Sequence, residues 1–283
     1  MKQISLATTG YELITKRTRK RIFLKEMNLV VPWTELVGLI QPHSSPEPVS
    51  KATNKGGRPA FRVETMLRIH FLQQWFGLSD PAMEEALEDI PMYWQFAQLD
   101  PGITRLPDET TILRFRHLLE TNDLSLQIMA TISALLTQRG LLLRTGTVVD
   151  ATLIAAPSST KNKDHARDPE MHSSKKGNQM YFGMKAHIGA SAESGIQWHI
   201  AMRPGKRKAL NKDNEADALI DKAERLKAGI RAKVEHPFRV IKRQFGFMKV
   251  RYRGLKKNTA QLITLFALSN LWMVREKLIG AGA

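Results

Sequence analysis

The chain contains no cysteine, and this absence removes several kinds of chemistry at once. Disulfide bridges, thiolate metal sites and cysteine nucleophiles are all excluded. The eight histidines have no spacing typical of a zinc site. A protein of this composition is compatible with a reducing cytosol.

Long apolar segments are also missing. The first 21 residues have no apolar core of signal-peptide length before their charges. The most apolar stretch, Leu262 to Val274, is too short to span a bilayer and is interrupted by polar residues. We therefore expect a buried helix there, no membrane partner, and a cytoplasmic protein that is associated with the nucleoid.

Acidic residues are few: 27 Asp and Glu face 43 Lys and Arg, which gives a net charge of +16. Such an excess predicts a polyanionic partner, and nucleic acid is the first candidate. Ribosomal and membrane-surface proteins can be equally basic, so charge alone leaves these alternatives open. The excess is concentrated between residues 203 and 257, where 18 basic residues accompany 6 acidic ones.

The part of the chain before Gly140 begins with a basic segment and continues with patterns typical of helices. A basic run from Lys16 to Lys25 is either a DNA-contacting arm or a solvated surface, and a Pro- and Gly-containing stretch at 41–59 predicts a linker. Apolar periodicity predicts a helix over 63–76, stopped by Gly77, and further helices capped by Asp80, Asp108 and Asp123. Together they predict a helical bundle over about residues 60–140.

After Gly140 the apolar pattern changes to that of strands. The β-branched run from Thr147 to Ile154 places Asp150 on a strand that looks buried. A buried strand acid needs a metal or another partner, although backbone amides near the strand end could also satisfy it. A polar loop precedes a second predicted strand at 179–188, whose Lys185 either contacts phosphate or is an ordinary surface cation. A third strand is predicted at 196–202.

The last part of the chain is predicted to be helical again, in three segments. They are about residues 214–230, the stretch RAKVEHPFRVIKRQFGF from Arg231 to Phe247, and Asn258 to Lys277. Asn258 and Gln261 are predicted to form a capping box at the start of the third segment. In the middle stretch, Arg231, Glu235, Arg239 and Lys242 share one face of a helix. Such a face offers a carboxylate to a metal ion and cations to phosphates. The alternative is a surface helix whose ion pairs surround the single acid.

Several segments in order resemble bacterial DDE transposases of the insertion-sequence-five group. They are LPDETTILRFRHLLE, VVDATLIAAPSSTKNKD, DPEMHSSKKGNQMYFGMKAHIGA, RPGK and RAKVEHPFRVIKRQFGFMKVRYRGLKKN. The resemblance implies cleavage of element-end DNA and strand transfer with Mg²⁺ or Mn²⁺. By motif match, it implies that Asp150 and Glu235 are the first and third catalytic, metal-holding acids, with Arg231, Lys242, Arg239 and Lys185 supporting DNA and phosphate contacts.

The chain departs from the family pattern in two places. Ala228 stands where a Tyr often precedes the Arg of the third motif. More importantly, the segment that ends in Asp-Ala-Gly-Tyr and carries the second catalytic Asp is absent, because Ser194-Gly-Ile-Gln runs directly into Trp198 and the RPGK motif. We therefore infer an internal deletion near residues 197–198.

We accordingly expect an α/β chain that is mainly helical overall, with a basic segment and linker at 1–58, a helical transposase domain at 59–140 and an RNase H-like domain, possibly incomplete, at 141–283. The expected partners are element-end and target DNA, with a homo-oligomer or pairing with full-length transposase. The alternatives are a catalytically inactive remnant that only binds DNA, and an RNA-binding or ribosomal protein. The last leaves Asp150, Glu235 and the motif order unexplained.

Overall fold

The computed structural model of the chain describes residues 18–44, 60–141, 149–163, 165–189, 204–211 and 214–280. The expected linker lies almost entirely outside these ranges. The strand predicted at 196–202 also lies outside them, as does the junction at 197–198.

Helices lie within residues 60–140, as predicted, and two further helices precede them that the sequence did not predict. Their bounds are Arg19–Val30 (α1), Trp33–Ile40 (α2), Val63–Phe76 (α3), Asp80–Asp89 (α4), Pro91–Phe96 (α5), Glu109–Thr121 (α6) and Leu124–Gln138 (α7), with a 3₁₀ turn at Gln41–His43. From Arg19 onward the basic run is part of α1, whose apolar face, Phe23, Leu24, Met27 and Val30, is buried. Its cations lie on the other face, as in an amphipathic surface helix.

Local chemistry accounts for several helix ends. Gly77 ends α3 in the left-handed conformation, with φ of 63°, which glycine adopts without a side-chain penalty. Asp108 caps α6 by accepting a hydrogen bond of 2.7 Å from the Thr111 amide. The hydrogen bonds from Thr111, together with one from the Thr110 hydroxyl, lower the pKa of the Asp108 carboxyl to about 2. Both ends were predicted from the sequence.

Three predicted caps are different in the structure. The N-cap of α4 is Ser79, whose hydroxyl accepts from the Ala82 amide at 3.3 Å, while Asp80 is the first helical residue and bonds to other helices. Asp123 precedes α7 in the left-handed conformation and makes no side-chain capping bond. The capping box at Asn258 and Gln261 is wrong, because the final helix already begins at Leu255.

A buried polar cluster joins the helices to the last part of the chain. Arg116 of α6 forms ion pairs with Asp80 at 2.9 Å and Glu120 at 2.8 Å. Its guanidinium also lies 4.3 Å from the centre of the Tyr252 ring. His70 of α3 is buried against this cluster, and desolvation, with a smaller contribution from the Arg116 charge, lowers its pKa to about 4.

Three antiparallel strands follow, Val149–Ala155 (β1), His172–Lys176 (β2) and Gln179–Gly189 (β3), in the order β1-β3-β2. The second strand was predicted as loop, because its polar residues carry no apolar alternation; pairing with β3 across the turn at Gly177 orders it. Gly183 permits β1 to approach β3 closely, since a Cβ there would lie 2.0 Å from the Ile154 carbonyl oxygen.

The remaining elements are helical: Pro204–Lys208 (α8), Glu215–Arg239 (α9), a π-helical turn at Val240–Gln244, and Leu255–Gly280 (α10). Pro237 is accommodated inside α9 and the helix widens into the π turn three residues later. After that turn, Val250 donates to the Ala155 carbonyl at 2.8 Å, and a parallel bridge joins Ala155 to Lys249. The segment after the π turn therefore lies beside the end of β1.

One apolar core connects the two halves. Helix α10 packs on α7 and α1, and Leu265, Leu268 and Leu271 are essentially fully buried within it. The Phe23 ring of α1 lies 5.3 Å from the Trp75 ring and 6.4 Å from the Phe245 ring. The final helix is therefore part of the same core as the first helices, which composition and motif order alone did not predict.

Candidate active site

The two acids singled out from the sequence lie on elements that touch. Asp150 is on β1, in register with Ile188 of β3, and Glu235 is in the penultimate turn of α9. Helix α9 packs against β1. The side chains of Asp150, Glu235 and Arg231 lie outside the part of the chain that is described, so only their positions on strand and helix are placed.

Lys242 connects these elements directly. This half-buried residue in the π turn donates from Nζ to the Thr152 hydroxyl oxygen at 2.6 Å and to the Leu153 carbonyl oxygen at 2.7 Å. Both acceptors belong to β1. These bonds anchor the turn that follows α9 to the strand that carries Asp150; the phosphate contact that the motif predicts for Lys242 stays a prediction.

Two other predicted cations, Lys185 and Arg239, are on the surface. Lys185 is exposed on β3, opposite Leu153 of β1. Arg239 is exposed near the end of α9 and lines a groove of about 400 Å³ together with Arg243 and Trp272. Exposed guanidinium and ammonium groups at these positions are available to phosphates.

Further acids lie between Asp150 and Glu235 in the chain and are candidates for an additional metal ligand. Asp221 of α9 accepts from Arg207 at 2.6 Å and forms an ion pair with Arg225 at 2.9 Å. These cations, the hydrogen bond from Arg207 first, lower the pKa of its carboxyl. Asp217 accepts from the Asn211 amide at 2.9 Å. Both are engaged on the outer part of α9 rather than at a strand end.

Asp168 and Glu170 have another role that the sequence did not reveal. Asp168 accepts from the Gly254 amide at 2.7 Å, and Glu170 accepts from the Leu255 amide. These amides are at the start of α10, where unpaired backbone donors and the helix dipole favour negative charge. The two acids therefore serve as caps supplied from a distant loop. Asp164, Glu193 and Asp213 lie outside the described residues.

The carboxylates that can be placed suit a hard divalent cation by donor type, since Mg²⁺ and Mn²⁺ prefer oxygen ligands. Their number does not suit a pair of such ions, which needs further ligands. Among the described residues, no group of three or more His, Asp or Glu side chains is arranged to hold a metal. Two carboxylates alone are therefore fewer than a two-metal centre needs.

Helix α9 also carries an apolar surface that the described part of the chain leaves open. Leu219 is 62% exposed and Leu226 is 65% exposed, and Ile220 lies beside them at 41%. Leu219 and Leu226 are seven residues apart and therefore on one face of the helix. A contiguous apolar face of this kind normally packs on another element.

Comparison with known proteins assigns both halves of the chain. Residues 11–118 match the family described as Transposase domain (DUF772), which covers α1 to most of α6. Residues 197–271 match the family described as Transposase DDE domain, which covers α9, the π turn and most of α10. The DDE match begins at Gln197, next to the junction inferred from the sequence, and leaves Asp150 outside it.

No solved structure matches the chain. Within the described residues, the helices include none with the length and apolar character needed to cross a bilayer. DDE domains normally work with a divalent metal ion, which agrees with the donor types on β1 and α9. The two family matches, in this order along the chain, indicate that the protein is a transposase with a DDE domain in its C-terminal half.

Proposed function

We propose that the protein is a transposase of the insertion-sequence-five group that binds the DNA ends of its element, with Asp150 and Glu235 as the first and third acids of its site. The observation that carries this proposal is the pair of bonds from Lys242 to Thr152 and Leu153. They hold the turn after α9 against β1, so that the elements bearing the two acids are fixed relative to each other.

The strand geometry supports the same arrangement. Asp150 precedes Thr152 by two residues, and alternate residues of a strand belong to one face. The face of β1 that receives Lys242 is therefore the face to which Asp150 belongs. Glu235 lies seven residues before Lys242 in a continuous helical segment. We infer that the positions of Asp150 on β1 and Glu235 on α9 both belong to the junction between these elements, within an RNase H-like arrangement.

We also propose that this chain by itself cleaves DNA poorly. Asp221, Asp217, Asp168 and Glu170 are committed to Arg side chains or backbone amides, and the Asp-Ala-Gly-Tyr motif is absent from the sequence. Uncatalysed phosphodiester hydrolysis is so slow that an enzyme must supply many kcal/mol through precisely placed charges. Two acids in place of three leave that arrangement incomplete.

The uncovered face of α9 supports the interpretation that an internal deletion removed the segment with the Asp-Ala-Gly-Tyr motif. Strands removed between β3 and α8 would leave an apolar helix face without its cover, and Leu219, Ile220 and Leu226 form such a face. A full-length transposase could supply the missing strands in a mixed assembly, and self-association through this face is the other arrangement we propose.

DNA binding and cleavage should be tested separately. Binding to a duplex that carries the element's ends should be tight at low salt and fall steeply as salt is raised, because Lys and Arg contacts release counterions. Binding that does not change with salt, or a folded sample that does not bind, would contradict the proposed function.

Cleavage is measured on a supercoiled plasmid carrying the ends, with Mg²⁺ or Mn²⁺, and Asp150→Ala and Glu235→Gln are the matched controls. We expect the unmodified chain to give no more nicks than these controls. If it nicks and both controls do not, a third acid completes the site, and Asp221→Asn is the first variant to examine.

A further inference from the structure

A basic groove lies between the end of α9 and the last helix. Exposed His236, Arg239 and Arg243 form one side, and half-buried Trp272 and Met273 of α10 form the other. Its volume is about 400 Å³, which is within the range of sites that hold small organic molecules. Among the residues of the lining that the structure describes, none is acidic.

We propose that this groove binds an unpaired nucleotide of a DNA strand, with the base against Trp272 and its phosphates at Arg239 and Arg243. This inference rests on the proposed function, because it takes DNA as the ligand. It goes further by assigning a single-stranded ligand to a defined surface beside the helix turn that carries Glu235.

The chemistry of the groove favours a nucleotide over a simple anion. Guanidinium groups bind phosphate oxygens, often through two parallel hydrogen bonds. An indole face offers stacking to a planar base, and such stacking contributes about 1–3 kcal/mol per base. Both arginines are exposed, and none of the side chains that the structure describes forms an ion pair with either of them.

The indole is held in place rather than loosely exposed. The Arg275 guanidinium lies 4.5 Å from the centre of the Trp272 ring, and its Nη1 donates to the Trp272 carbonyl oxygen at 2.9 Å. Arg275 is in turn paired with Glu26 of α1 at 2.8 Å. A fixed aromatic surface loses little conformational entropy when a base stacks on it.

A duplex cannot use this site in the same way. Bases inside a double helix are already stacked and present only their edges, so an indole reaches a base face only where the strand is unpaired. The groove should therefore bind single-stranded DNA in preference to double-stranded DNA. The exposed cations of α1 and β3 should bind both forms of DNA through their phosphates.

The test compares two labelled probes by fluorescence anisotropy: an oligothymidylate of about 12 nucleotides and a blunt duplex of about 20 base pairs, each at two salt concentrations. Trp272→Ala should weaken oligonucleotide binding by about 5- to 150-fold and change duplex binding by less than about 2-fold. Trp272→Phe should keep most of the affinity, because a benzene ring still stacks.

Arg239→Ala with Arg243→Ala should lower the salt slope for the oligonucleotide by about 1.4, which is two phosphate contacts at about 0.7 each. Both arginines are exposed, so this variant should fold even if Trp272→Ala does not. Lys256→Ala and Met248→Ala, an exposed cation and an exposed apolar residue away from the groove, are the matched controls.

The outcomes separate the two proposals. If the duplex binds but the groove variants bind the oligonucleotide like the controls, the groove assignment is overturned and the proposed function stands. If the folded protein binds neither probe, both are overturned. A loss for the groove variants on the oligonucleotide alone supports the assignment.

Discussion

Replacing Lys242 by Met tests whether this residue fastens the helix that carries Glu235 to the strand that carries Asp150. The substitution keeps most of the side-chain volume and removes bonds of 2.6 and 2.7 Å to Thr152 and Leu153. A hydrogen bond from a charged group contributes about 1.5–3 kcal/mol when buried. Because Lys242 is only half-buried, we expect the two bonds together to stabilise the fold by about 2 kcal/mol.

The measurement is urea unfolding followed by tryptophan fluorescence, with the shift in midpoint compared at equal slope. A double-mutant cycle with Thr152→Val isolates the bond to the hydroxyl, and we expect a coupling of about 1 kcal/mol. Lys256→Met, an exposed lysine at the start of α10, should leave the midpoint unchanged. Additive effects of Lys242→Met and Thr152→Val would refute the bond to the hydroxyl, and an unchanged midpoint for Lys242→Met would refute the anchoring role.

The same variant distinguishes anchoring from direct phosphate contact. A phosphate-binding lysine contributes about 0.9 to the slope of log affinity against log salt on duplex DNA. If Lys242→Met lowers that slope and leaves the unfolding midpoint unchanged, the residue contacts DNA and the reasoning from its bonds to β1 is wrong. If it acts as an anchor, stability falls and the salt slope is retained.

Three further predictions concern the core and the open face of α9. The pKa of His70 is about 4 in the folded state against 6.5 in the unfolded state, so the unfolded state takes up a proton first as the pH falls, and the free energy of unfolding should decrease by about 2 kcal/mol between pH 7 and pH 5. In urea melts at the two pH values, His70→Gln should lack this decrease, and an equal decrease in both proteins would exclude His70 as its source. Arg116→Met leaves Asp80 and Glu120 without their shared cation and should lower the free energy of unfolding by about 3 kcal/mol in the same melts. A decrease below about 1 kcal/mol would show that solvent already stabilises the two charged acids. Leu226→Glu changes an exposed position and should reduce self-association in light scattering with little effect on the unfolding midpoint; unchanged association would show that the α9 face is not the adhesive surface.

Much of the local structure was predictable because its causes are local. The apolar periodicity of Val63–Phe76, the αL glycine at Gly77 and the cap at Asp108 each depend on neighbours within a turn or two, and all were confirmed. The strand at Gln179–Gly189 was confirmed for the same reason. Strand β2 was missed, because its polar residues become a strand only through pairing with β3.

For the candidate site, too, some features could be predicted from the sequence and others could not. The sequence by itself placed Asp150 on a strand and Glu235 on a helix, and it revealed the missing motif, because each of these depends on residue order alone. Only the tertiary structure decided that Lys242 reaches β1 across 90 residues of chain, that Asp168 and Glu170 cap α10, and that Trp272 meets Arg239 in one groove. These contacts join residues far apart in the chain, and their partners are selected by packing of whole elements around the shared core, which no local pattern specifies.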